Sequence, residues 1–161
     1  MRDILAQTRA ANAAGLYYVA LFSALALPDI CAALESRDGK TNGSLYRAWF
    51  DRYAARGFIT GEAAYQFRCA MLHQGRTGHP VGYSKIIFIE PSATGIVFHN
   101  NVMGDALNID VRIFVEELVL AVEKWLTTVE TTLEYQKNIA SGVKRYPNGL
   151  PPYILGLPVI A

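Results

Sequence analysis

From Val111 to about Lys137 the chain has one reading that outweighs all others, a long amphipathic helix. Phe114, Leu118, Val122, Trp125, Val129 and Leu133 recur at intervals of three and four, while Glu116, Glu117, Glu123 and Glu130 face away. Gly142 closes the run. A stripe of that length must be covered by other apolar elements, so the upstream chain has to supply them.

It does so mainly as helices. The 19 residues from Ala10 to Pro28 carry no charge, a length that touches the membrane-spanning threshold. They are rich in alanine, interrupted by Asn12, Gly15 and Ser23, and preceded by Asp3 beside Arg2 rather than by a basic leader. We expect a buried core helix over about residues 2–26, not a signal or anchor. Pro28 then suits the first turn of a short helix from Asp29 to Glu35. Leu45, Trp49, Phe50 and Tyr53 predict a helix over about 44–55, ended by Gly57. Thr60 is a good N-cap for the next helix, Glu62 favours its dipole, and Gly75 stops it.

After Pro80 the pattern changes. Lys85–Glu90, Ile96–His99 and Leu107–Asp110 are short β-branched runs separated by Pro91, Gly95, Asn100, Asn101 and Gly104. They predict a small antiparallel three-stranded β-meander at about 84–110, inserted before the long final helix. The tail from Tyr146 holds Pro147, Gly149, Pro151, Pro152, Gly156 and Pro158, so it cannot be helical and must lie on the surface or against a partner. The expected fold is mainly α: a single helical domain over 1–145, followed by a Pro/Gly-rich tail over 146–161.

At 161 residues the chain suits one domain with a real core. Its 52% hydrophobic and 18% charged residues point to tight packing or to an oligomer. A net charge of +1 excludes a strongly basic nucleic-acid coat, but the charge is uneven. Between Arg37 and Lys85 there are eight basic residues against three acids, and from Ile86 to Ser141 eight acids against three bases. The first of these regions is the one suited to attract an anion. Cys31 and Cys69 are too few for a disulfide scaffold and read as reduced thiols of a cytoplasmic protein.

Within the basic region, Arg68 and His73 stand five residues apart on the helix that Gly75 ends. Ala63, Ala64, Phe67, Ala70 and Met71 form its core stripe, while Tyr65, Cys69 and Leu72 make a second apolar face. A second apolar face calls for another helix, and a symmetric copy is one candidate, so Tyr65, Cys69 and Leu72 are the expected dimer interface. Five helical residues separate Arg68 and His73 by about 140° and about 7.5 Å, so within one chain the two are expected to diverge and across a two-fold to converge. A histidine can move a proton at neutral pH. An arginine can clamp two phosphate oxygens and stabilise a phosphoryl transition state. With the neighbouring 2′-hydroxyl of RNA as nucleophile, such a pair needs no metal and no cofactor.

The stretch Tyr65-Gln-Phe-Arg-Cys-Ala-Met-Leu-His-Gln-Gly75 resembles the signature helix of the HEPN superfamily, an Arg, four to six residues, then His. The resemblance implies a helical bundle, a homodimer with composite sites, and metal-independent endoribonuclease activity, commonly in prokaryotic phage-defence or toxin–antitoxin systems. Carried over by position, Arg68 and His73 would be the catalytic pair. Active members commonly follow the arginine with Asn, Asp or His, where this chain has Cys69. The alternative is a non-catalytic dimeric HEPN-like module that binds a protein, such as an antitoxin, or a nucleic acid.

Around the pair, Asp29 could orient Arg68 or His73, and Gln74 and Arg76 could touch a phosphate backbone. Tyr17, Tyr18, Trp49 and Tyr53 sit at helical spacing and are expected in the core, with base stacking as the other use for such rings. His79 and His99 have no carboxylate or thiol at ligand spacing, so no metal site is expected.

Overall fold

The computed structural model describes residues 1–57, 59–76 and 82–161. Helix makes up 54% of the described residues, so the fold is mainly α. Six helices and a small mixed sheet appear among the described residues: α1 (Arg2–Ala13), α2 (Tyr17–Glu35), α3 (Gly43–Tyr53), α4 (Gly61–Gln74), β1 (Lys85–Ile89), β2 (Asn101–Met103), β3 (Ala106–Asp110), α5 (Val111–Val129) and α6 (Leu133–Ala140).

The helix expected over 2–26 is two helices. Gly15 adopts a left-handed φ of 72°, and the amide of Leu16 returns to the carbonyl of Ala11, which ends α1. Pro28 does not start a new helix, because α2 runs through it to Glu35. The ring withholds one amide from the ladder, a cost of about 3 kcal/mol in an isolated helix. Burial of Leu25, Leu27, Pro28, Cys31 and Ala32 offsets it, and the Tyr46 hydroxyl donates to the Leu25 carbonyl at 3.3 Å. Length and composition alone would let α2 cross a membrane, yet half of its apolar window is buried inside the fold.

α5 follows the expected stripe through Val129 and then stops. The Thr132 hydroxyl accepts from the Tyr135 amide and starts α6 as a separate helix. Leu133, assigned to the stripe from its spacing, is 85% exposed, because the break rotates it off the core. The glutamates do face outward and each finds a cation or a histidine. Glu116 and Glu123 share Arg9 of α1, Glu130 takes Arg2, and Glu117 takes His99.

The sheet is not an antiparallel meander. Its order is β1-β3-β2, with β1 parallel to β3 and β2 antiparallel to it. The antiparallel partner of β3 is Asn101–Met103, not the expected Ile96–His99. That run crosses the surface, with Ile96 and Val97 more than half exposed. The tail is indeed non-helical. It folds back on itself as β4 (Arg145–Tyr146) with β7 (Val159–Ile160), and β5 (Gly149–Leu150) with β6 (Ile154–Leu155).

α3 and α4 lie unusually close. A Cβ on Gly61 would sit 2.5 Å from the Arg47 carbonyl oxygen, so only glycine permits this approach. The expected face of α3 holds at Trp49, Phe50 and Tyr53, and Tyr46 takes the place expected for Leu45. Tyr46, Trp49 and Phe50 are fully buried, while Leu45 is partly exposed. α2, α3 and α4 thus pack against one another as one wall of the core.

Candidate functional site: Asp29, Arg68 and His73

α4 forms as its sequence dictates. The Thr60 hydroxyl accepts from the Ala63 amide at 3.2 Å. At the other end Gly75, with φ 62°, lets the amides of Gly75 and Arg76 return to the carbonyls of Met71 and Ala70. Ala63, Ala64, Phe67 and Ala70 are buried as expected, and Met71 packs against the core from its edge. These caps fix where Arg68 leaves the helix and place His73 in its exposed last turn.

Arg68 and His73 do not diverge. Nη1 of Arg68 lies 2.9 Å from Nε2 of His73. The positions on the helix are still about 140° apart, but a long arginine side chain closes the gap that backbone geometry leaves. A guanidinium has donors only, so His73 Nε2 is the acceptor and the ring proton of the neutral tautomer belongs on Nδ1. Nε of the same guanidinium donates to Asp29 Oδ2 at 2.7 Å, and the Cys69 sulfur lies 3.8 Å from Nη1. Of the two roles weighed for Asp29, the structure shows the contact with Arg68. Asp29 sits within α2, one residue after Pro28, not at the start of a helix.

Asp29 and Arg68 are largely buried, with side-chain exposures of 14% and 20%. Burial pushes the Asp29 carboxyl above its ordinary value, and Arg68 pulls it only partly back. For Arg68, burial works against the charge, but Asp29 and Cys69 outweigh it and raise the guanidinium further. Tyr46 lies beneath the pair. Burial, with the Asp29 charge adding to it, raises its phenol far above normal, so it stays neutral. The sequence signal for Tyr46 was the i, i+4, i+7 series with Phe50 and Tyr53.

The other expected residues divide. Tyr65 leans on its own chain: its ring is 5.3 Å from that of Tyr46, Arg47 lies over it at 5.0 Å, and its hydroxyl bonds to Cys69. α3 therefore covers part of the second apolar face of α4, leaving Cys69 and Leu72 half-buried. Gln74 and Arg76 are exposed one step beyond His73. His99 is drawn to Glu117 at 3.2 Å. His79 lies outside the described residues. Among those described, no three His, Cys, Asp or Glu side chains gather where a metal ion could be held.

No family model, curated protein or solved structure matches the chain.

The arrangement offers a proton acceptor, a fixed cation and a carboxylate in line. His73 is the exposed member of the three, while Arg68 and Asp29 are largely buried.

Proposed function

We propose that the protein is a HEPN-type, metal-independent endoribonuclease that acts as a homodimer in the cytoplasm, possible settings being prokaryotic defence or toxin–antitoxin systems. The observation that carries this reading is the 2.9 Å contact between Arg68 and His73 on a guanidinium already held by Asp29. Asp29 takes the inner nitrogen of Arg68 and leaves Nη1 directed outward. An arriving phosphodiester draws Nη1 onto its oxygens, which frees the lone pair of His73 Nε2. That nitrogen takes the proton from the 2′-hydroxyl as its oxygen attacks phosphorus. Arg68 stabilises the extra charge of the pentacoordinate phosphate. The bond to the 5′-oxygen breaks, that oxygen takes a proton from water, a 2′,3′-cyclic phosphate remains, and His73 returns its proton to the solvent.

Support for the dimer comes from α2. Val19 and Phe22 are 54% and 39% exposed and share a helical face with Asp29. An unpartnered apolar strip that ends at the site suits a second copy, with Leu72 and Cys69 at its margin.

The experiment is RNA incubated in EDTA with wild type, Arg68→Ala and His73→Ala, with products analysed for cyclic phosphate ends. Cleavage by wild type and its loss in both variants is the expected result. Full activity in both variants sinks the proposal.

A second reading has its own observation, since Asp29 already balances the Arg68 charge. In a non-catalytic dimeric module binding a protein or nucleic acid, the trio would be interface structure. His73→Ala would then change dimer dissociation, while no RNA is cut by any form.

A further inference from the structure

One turn of α4 beyond Arg68, Met71 forms the wall of a groove of about 380 Å³ between α2, α4 and β1. We propose that this groove binds a base of the RNA strand two to three nucleotides from the cleaved phosphodiester, with Tyr18 as its stacking platform. The proposal rests on the ribonuclease reading for its direction, and on the groove's own chemistry for its ligand.

Four aromatic rings decide that chemistry. Phe67 and Phe88, with centroids 4.8 Å apart, form an apolar floor, and Tyr17 and Tyr18 stand at the side. The rings singled out in the sequence as possible stacking residues now separate. Trp49 is buried and Tyr53 packs against it in a tilted pair with centroids 5.3 Å apart, so both are taken up by the core. Tyr18 is 75% exposed at the mouth of the groove. A volume of this size holds a base with its ribose.

The rim is polar at two places. Lys85 and Glu90, which bracket β1, both line the groove and are exposed. A purely apolar ligand has no use for them. A nucleotide uses both: phosphate meets the Lys85 ammonium, and base N–H groups donate to the Glu90 carboxylate. Met71 lies three residues beyond Arg68, about 4.5 Å along α4, while Tyr18 stands eleven residues before Asp29, about 16 Å along α2, so an unstacked strand runs from Arg68 to Tyr18 over two to three nucleotides. A duplex keeps its bases stacked inside and cannot offer one to Tyr18.

The test uses full-length protein with His73→Ala, which keeps the RNA intact, and a fluorescein-labelled single-stranded hexanucleotide. Fluorescence anisotropy is read against the same protein with Tyr18→Ala, Tyr18→Phe, Lys85→Ala or Glu90→Gln added. Tyr18→Ala is expected to weaken binding roughly tenfold while Tyr18→Phe keeps it, as stacking requires. Lys85→Ala should lower the salt slope by about one. Glu90→Gln should change the preference among homopolymers. Equal affinity with Tyr18→Ala, or no binding by the His73→Ala protein, overturns the groove proposal even if wild type cuts RNA. Tyr18-dependent binding in a protein that cuts no RNA overturns the ribonuclease and leaves the groove standing.

Discussion

Arg68 and His73, five residues apart on α4, meet at 2.9 Å because Asp29 of α2 holds the other edge of the guanidinium. The contact uses the fork of the arginine: Nε is spent on the carboxylate and Nη1 is left for the imidazole. Lysine has one nitrogen and cannot serve both directions. Arg68→Lys should therefore lose RNA cleavage on the order of a hundredfold, close to the loss in Arg68→Ala. Single-turnover rates at saturating RNA measure this. A Lys variant within a few-fold of wild type would mean that charge alone suffices.

Asp29 gives a pH signature of opposite sign to that of a surface carboxylate. Burial raises its folded pKa, so the stability it contributes is present below the ordinary carboxyl value and is lost as pH rises through the raised one. Asp29→Asn does not titrate. The melting temperature of wild type relative to Asp29→Asn should therefore fall as pH rises above the ordinary carboxyl value of about 4. Cleavage should be lower in the variant where Asp29 is ionised, since a neutral amide holds Arg68 less firmly. A pH-independent difference in melting temperature would remove burial as the leading influence on this carboxyl.

α4 was legible in the sequence from end to end because everything that shapes it is local: the Thr60 cap, the Gly75 stop and the Ala63–Ala64–Phe67–Ala70 stripe. Elements set by distant packing were read less well. Pro28 is a helix breaker by local rule, yet α2 continues because Tyr46 and the core hold it. Leu133 extends an apolar period that Thr132 interrupts. β1 pairs parallel with β3, a choice no local pattern dictates. At the site, the residue types were visible but their contacts were not. Asp29 and Arg68 lie 39 residues apart, and reading α4 by backbone angles alone understated the reach of an arginine side chain.

Arg9 ties α1 to α5 through Glu116 and Glu123 together. Its hydrogen bond to Glu123 holds that carboxyl below the ordinary glutamate value. Stability from a depressed carboxyl is present above the unfolded value and disappears as pH falls through the folded one. The groups are partly exposed, with side-chain exposures of 36% for Arg9 and 42% for Glu123, so solvent screens them. Arg9→Ala should cost about 1 kcal/mol at neutral pH. The cost should shrink as pH is lowered from neutral to well below the ordinary glutamate value of about 4. Urea melts at both values test it, and a penalty that persists in acid would point to lost packing instead.

Gly75 links the cap of α4 to the chemistry. Its φ of 62° is left-handed, and a Cβ there would meet nothing within 4 Å, so a substitution acts through the backbone alone. Gly75→Ala should cost about 1 kcal/mol, and Gly75→Asn less, because asparagine tolerates this conformation. His73 stands in the turn that this glycine closes. Loosening that turn moves the imidazole away from Nη1 of Arg68, so the alanine variant should also cut RNA more slowly at temperatures where it remains folded. Amide exchange at residues 73–76 alongside cleavage rates separates local fraying from global loss. Faster exchange with an unchanged rate would mean that the Arg68–His73 contact is not needed in the reacting complex.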